Sequence, residues 1–117
     1  MILVDTSVWI DHLRKGNEHL KSLLVSDEVL SHPFVVGELA CGVLQKRSVI
    51  LKLLQELPVA LVADHEEVLR LLEKERLYGC GIGWVDAHLL ASARLSGSRL
   101  WTLDTALSAA AAALNLS

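Results

Sequence analysis

Met1-Ile2-Leu3-Val4-Asp5-Thr6-Ser7 decides the fold of this 117-residue chain. Three aliphatic residues with no polar alternation read as a strand buried on both faces, as the central strand of a parallel sheet is. A carboxylate and two hydroxyls follow at once. Ligands of open α/β sheets gather beyond the carboxyl ends of the strands, so Asp5 stands where chemistry is done.

Outward from this stretch, the apolar spacing predicts strands alternating with helices. A helix is expected over Val8–Lys15, capped by Thr6 or Ser7, and a second, marked by Leu20, Leu23 and Leu24, ends near Ser26. Glu28–Ser31 reads as a strand. Pro33 suits the first turn of a helix reaching about Lys46, and it sets Glu38 on a stripe with Phe34, Val35, Cys41 and Gly42. A helix over Ser48–Glu56 is stopped by Pro58, and Val59–Val62 reads as another aliphatic strand.

Asp64 is placed to cap a helix that turns Val68, Leu69, Leu71 and Leu72 inward and a solvated charged face outward. Gly79, Gly81 and Gly83 follow a helix rather than a strand and lack the Walker lysine, so they are not a nucleotide loop. The next helix, Trp84–Ser96, carries Asp86 in its first turn on a stripe with Leu89, Leu90 and Ala93, and Gly97 ends it. Arg99–Leu103 reads as a strand with Asp104 after it, and Ala106–Leu114 as a final alanine-rich helix. Such alternation implies βαβ units, right-handed crossovers and a parallel sheet flanked by helices.

The length fits one domain, residues 1–117. With 52% of its residues hydrophobic, the chain holds more apolar surface than one small core buries, which points to a homo-oligomer or a bound partner. A net charge of -3 argues against holding nucleic acid by bulk electrostatics, but not against a nuclease whose metal ions neutralise its acids. Cys41 and Cys80 are too few for a disulfide framework, and with no basic region before the apolar run and Asp5 interrupting it, the N-terminus is not expected to be a signal peptide. No stretch is long enough to span a bilayer, and a cytoplasmic location is expected.

Asp5 and Asp104 each follow a strand; Glu38 and Asp86 each lie near the start of a helix that leaves the same sheet edge. Four carboxylates are thereby expected to share one crevice. Unpaired, they would raise one another's pKa, and a hard divalent cation, Mg2+ or Mn2+, relieves the conflict. Such a site suits hydrolysis of a phosphodiester, with helix N-termini favouring the phosphate. Each acid also has a plainer reading: Asp5 and Asp104 as helix caps, Asp86 as a first-turn acid. Glu38 resists it, since an acid on an apolar stripe needs a partner.

The histidines, His12, His32 and His88 among them, do not form a zinc set, and Trp9, Trp84 and Trp101 read as core or interface anchors because no single element gathers them. His88 is expected on the side of its helix away from Asp86.

Four motifs in this order, I-L-V-D-T-S-V-W-I, V-V-G-E-L-A-C-G-V, G-I-G-W-V-D-A-H-L-L-A-S-A and L-W-T-L-D, resemble those of PIN-domain proteins, specifically VapC-type toxin ribonucleases of toxin–antitoxin modules. The resemblance covers nearly the whole chain. It implies a three-layer α/β/α PIN-like fold in which Asp5, Glu38, Asp86 and Asp104 are the catalytic and metal-holding acids, binding Mg2+ or Mn2+ for endonucleolytic cleavage of RNA. Thr6, Ser7 and Thr102 match supporting hydroxyls. A homodimer and a cognate antitoxin protein are implied partners. Members commonly have a strand after the last helix, which is expected here to be very short, absent or truncated. The alternative is a catalytically silent PIN-like module that binds protein or RNA, disfavoured by an intact quartet. A phosphoryl-accepting enzyme or receiver is weaker still, because Ser7 stands where a haloacid-dehalogenase-like pattern needs Asp and no Lys follows a strand.

Overall fold

A computed structural model describes all 117 residues. Its elements are β1 (Ile2–Val4), α1 (Thr6–Lys15), α2 (Glu18–Val25), β2 (Val29–Leu30), α3 (Pro33–Cys41), α4 (Arg47–Glu56), α5 (His65–Lys74), α6 (Trp84–Ser96), β3 (Arg99–Trp101) and α7 (Thr105–Ala113). The sheet is parallel, in the order β2-β1-β3. Ile2 and Leu3 pair with Val29 and Leu30 on one side, and Ile2, Leu3 and Val4 with Arg99, Leu100 and Trp101 on the other. All three residues of β1 are buried, as an aliphatic strand covered on both faces must be. Helices flank the sheet in a three-layer α/β/α sandwich: α6 packs on β1 and β3 with α5 beside it, and α1 packs on α3.

One apolar cluster forms the core, with Leu3, Val4, Val29, Val35, Val68 and Leu89 fully inside. α6 is the most deeply placed helix; Ala87 through Ala93 are buried in an unbroken run. Its low sequence amphipathicity follows, since a helix hydrophobic all round belongs inside.

Several expected boundaries shift, each for a local reason. The cap of α1 is Asp5, not Thr6 or Ser7: its carboxylate accepts from the Ser7 N–H at 3.4 Å. α3 stops at Cys41, well before Lys46, because Gly42 caps it and the Arg47 guanidinium donates to the carbonyls of Ala40 and Gly42. Those end groups are orphaned in any helix and Arg47 satisfies them.

The strand expected over Val59–Val62 shrinks to one parallel bridge between Ser31 and Val59. β2 turns into α3 at Pro33, so no ladder remains for this segment to extend. Within it the Ala60 N–H still donates to the Ser31 carbonyl at 2.9 Å, while the Leu61 N–H donates to Ser96 Oγ at 2.9 Å and, just beyond, the Ala63 N–H to Ser92 Oγ at 3.4 Å. β3 likewise ends at Trp101 rather than Leu103, freeing Thr102 to turn into the crevice. On the far edge of β3, the Leu100 N–H donates to the Leu116 carbonyl at 2.6 Å, a one-bond remnant of a further strand.

Candidate functional site: an acidic crevice at the carboxyl edge of the sheet

Because β1 and β3 are parallel neighbours, the residues after them emerge side by side. Asp5, buried to 6% exposure, receives the Thr102 hydroxyl at 2.7 Å and the Ser7 hydroxyl at 2.7 Å, both on Oδ2. The two hydroxyl oxygens in turn accept backbone N–H groups, Ser7 Oγ from Leu103 at 3.0 Å and Thr102 Oγ1 from Asp104 at 3.0 Å. Every hydrogen bond to the Asp5 carboxylate falls on Oδ2, and Oδ1 is not sealed from solvent. One oxygen anchors the acid; no protein group bonds the other.

Asp104 is exposed and caps α7, its Oδ2 accepting from the Leu107 N–H at 2.9 Å. Asp86, half-buried in the first turn of α6, accepts the Gly83 N–H at 3.0 Å. Burial pushes its carboxyl above the ordinary range; the Gly83 N–H opposes this, and the negative charges of Asp5 and Asp104 raise it further. These three acids therefore lie within one another's fields.

The glycine loop before α6 explains the approach of Asp86 to Asp104. Gly81 has φ +90°, and a Cβ there would meet the Ala106 Cβ at 3.4 Å. The contact is ordinary at that distance; it is the left-handed φ that favours glycine there. The sequence shows three spaced glycines but not what they approach.

Glu38 departs from expectation. It is exposed, not set among buried residues: Val35 and Leu39, four apart, are the inward pair of α3, and Glu38 lies about 100° round the helix from Leu39. Phe34, Cys41 and Gly42 on its stripe are exposed as well. No burial cost therefore argues for its role. It is tied to the crevice by the Thr6 hydroxyl, which donates to Glu38 Oε1 at 2.8 Å from the residue next to Asp5.

No Lys or Arg neutralises these acids. The chain's ion pairs are Lys15–Asp11 and Arg94–Glu75, both elsewhere. No three His, Cys, Asp or Glu side chains stand near enough to ligate one ion together. The donors still fit a Mg2+-like ion, which is commonly held by one or two carboxylates and keeps several waters. Asp5 and Asp86, each anchored by hydrogen bonds, are the carboxylates that could hold it.

Beside the acids lies a cluster that no single element reveals. Phe34 stacks edge-on to His88 with ring centroids 4.7 Å apart, and His88 to Trp84 at 4.8 Å. His88 is buried on the side of α6 away from the carboxylate crevice, as its two-residue offset from Asp86 requires. Burial lowers its pKa, with the charge of His65 adding; His32, wholly buried, is lowered to about 4 by burial and then by His88.

A model of the PIN domain matches residues 2–113. Ribonuclease VapC32 of Mycobacterium tuberculosis, in each of two strains, is 53% identical over 113 residues, spanning 96% of this chain and 91% of that protein. The crystal structure of FitAcB from Neisseria gonorrhoeae matches with a TM-score of 0.67 at 26% identity, over 96% of this chain and 94% of that one. The sheet order, the acids beyond its carboxyl edge and a match over nearly the whole length give one conclusion: the chain belongs to the PIN-domain family.

Proposed function

We propose that this chain is a metal-dependent endoribonuclease that hydrolyses RNA phosphodiester bonds as the toxin of a toxin–antitoxin module. The observation that carries the reading is that Asp5 and Asp104 follow the ends of paired parallel strands while Asp86 feels the negative charge of both, and neither of the chain's ion pairs involves any of the three. The name of the Mycobacterium tuberculosis relative, a ribonuclease, supports the same reading. A group of carboxylates that repel one another is an unfavourable arrangement unless an external cation completes it.

In this reading Asp5, Asp86, Asp104 and Glu38 are the catalytic acids, and Asp5 and Asp86 hold Mg2+ or Mn2+ most directly. The ion supplies Lewis acidity and charge neutralisation at a scissile phosphate. The chain's own groups do the rest. Ser7 and Thr102 fix the rotamer of Asp5, the Gly83 N–H fixes that of Asp86, and Thr6 holds Glu38 toward the crevice. The first turns of α1 and α6 direct N–H dipoles toward the same space, which favours a phosphate.

A homodimer and an antitoxin protein are the proposed protein partners. A groove of about 750 Å³ lined by Ile10, Leu13, Arg14, Leu39 and Val43 runs up to Glu38, and Val49 and Leu53 add exposed apolar surface on α4. That surface is the apolar excess anticipated from composition. No helix is long and apolar enough to cross a membrane.

The test is cleavage of total RNA by the purified chain with Mg2+, with chelator, and with the Asp86→Asn variant. Cleavage by the wild type with Mg2+ alone is expected. Equal cleavage under all three conditions overturns the proposal, as does none under any.

A further inference from the structure

We propose that Trp84 and Phe34 form a base-stacking platform for single-stranded RNA beside the acidic crevice, an inference that rests on the ribonuclease reading above. The two rings come from different helices and meet through His88, which lies 4.7 Å from Phe34 and 4.8 Å from Trp84 between ring centroids. His65 extends the row, 5.1 Å from Trp84. His88 and His32 are buried beneath, but Trp84 and Phe34 keep 40% and 36% of their surface open. A buried imidazole thus braces two exposed faces.

Position and charge select the occupant. Trp84 and Asp86 are the first and third residues of α6, about 3 Å apart along its axis; Phe34 precedes Glu38 by one turn of α3, about 6 Å. Trp84 is turned about 200° round α6 from Asp86, on the His88 side, so the platform flanks the crevice at the starts of α3 and α6 rather than lining it, where nucleotides on either side of a held phosphate would lie.

The crevice itself repels RNA. The chain carries a net charge of -3, and none of its ion pairs brings a Lys or Arg to Asp5, Asp86 or Asp104. Bulk attraction to the phosphate backbone, the usual source of affinity, is weak here. Stacking of unpaired bases on aromatic faces supplies affinity without positive charge and without sequence preference. Duplex RNA keeps its bases stacked on each other and gains nothing from such a surface. The occupant is accordingly an unpaired loop or single strand.

The experiment measures binding of a fluorescein-labelled, randomised 12-nucleotide RNA in the Asp86→Asn background, where hydrolysis is off, and steady-state cleavage of total RNA in the wild-type background. Trp84→Ala and Phe34→Ala should each weaken binding about 5- to 150-fold and raise KM with little change in kcat. Trp84→Phe should restore most of the affinity. Trp9 is buried and Trp101 partly so; RNA should therefore quench tryptophan fluorescence in the Asp86→Asn protein and not in the Trp84→Phe double variant, a readout independent of how well the alanine variants fold. An oligonucleotide of abasic sites should bind Trp84→Ala and its parent equally.

Unchanged KM and affinity in both alanine variants, with wild-type cleavage intact, overturn the platform while leaving the ribonuclease. So does a change in oligomeric state with no change in RNA affinity, which would make this face a contact between copies. Absence of wild-type cleavage with RNA binding still lost in Trp84→Ala would overturn the ribonuclease alone.

Discussion

Thr102→Val is the sharpest single perturbation of the crevice. Thr102 is 8% exposed, and its hydroxyl donates to Asp5 Oδ2 at 2.7 Å and accepts the Asp104 N–H at 3.0 Å. Valine keeps the volume and removes both bonds. A hydrogen bond to a charged group contributes about 1.5–3 kcal/mol, and the stranded N–H adds a further loss where water cannot reach it. A total near 3 kcal/mol is expected. With an unfolding entropy of about 2.1 cal/mol/K per residue, this corresponds to a melting temperature lower by about 12 °C. Thr102→Ser restores the hydroxyl and should recover most of the loss. Thermal unfolding followed by circular dichroism measures it, and RNA cleavage under the same conditions should fall in the valine variant as Asp5 loses an anchor. A valine variant melting within about 2 °C of the wild type, with unchanged cleavage, would refute the claim that this hydroxyl organises the strand ends.

Asp86 gives a pH signature. Burial, then Asp5 and Asp104, hold its carboxyl above the ordinary 3.8, so its favourable contribution is complete below that pH and is lost as pH rises through the raised value. Asp86→Asn should accordingly gain stability relative to the wild type between about pH 3.5 and pH 7 in thermal melts, and a constant difference would contradict the like-charge account. Mg2+ at a hundredfold excess over its Kd should stabilise the wild type by about 2.7 kcal/mol, and Asp86→Asn by much less at the same concentration; equal shifts would place the ion elsewhere. Gly81→Val, forced to φ +90° against Ala106, should cost about 1–3 kcal/mol in denaturant melts and reduce cleavage. Asp64→Ala breaks the reciprocal Asp64–Glu67 cap of α5 and should cost about 1 kcal/mol while leaving cleavage intact, which separates stability from site geometry.

The periodicity of the chain was enough to specify the α/β alternation. β1 is legible because three aliphatic residues leave no polar face, and the end of α6, expected over about Trp84 to Ser96, is legible because Gly97 adopts φ +63°, where glycine is at ease. The placement of Asp5, Asp86 and Asp104 at the carboxyl edge, as distinct from their proposed role, is legible for a related reason: in a parallel sheet every strand end, and the start of every returning helix, lies at one edge. Residue order alone carries that information.

What escaped the sequence depends on contacts between distant segments. Val59–Val62 has strand composition, but β2 is two residues long and offers no ladder, so side chains of α6 take the Leu61 and Ala63 amides. Glu38 has apolar neighbours on its stripe, yet only Val35 among them is buried; with Leu39 it forms the inward edge of α3 and leaves Phe34, Glu38, Cys41 and Gly42 exposed. Trp84 and Phe34 lie 50 positions apart and converge only because α3 and α6 meet at His88. Local pattern fixes which way a segment coils; which groups it touches is settled by packing among helices whose lengths, caps and neighbours the pattern does not encode.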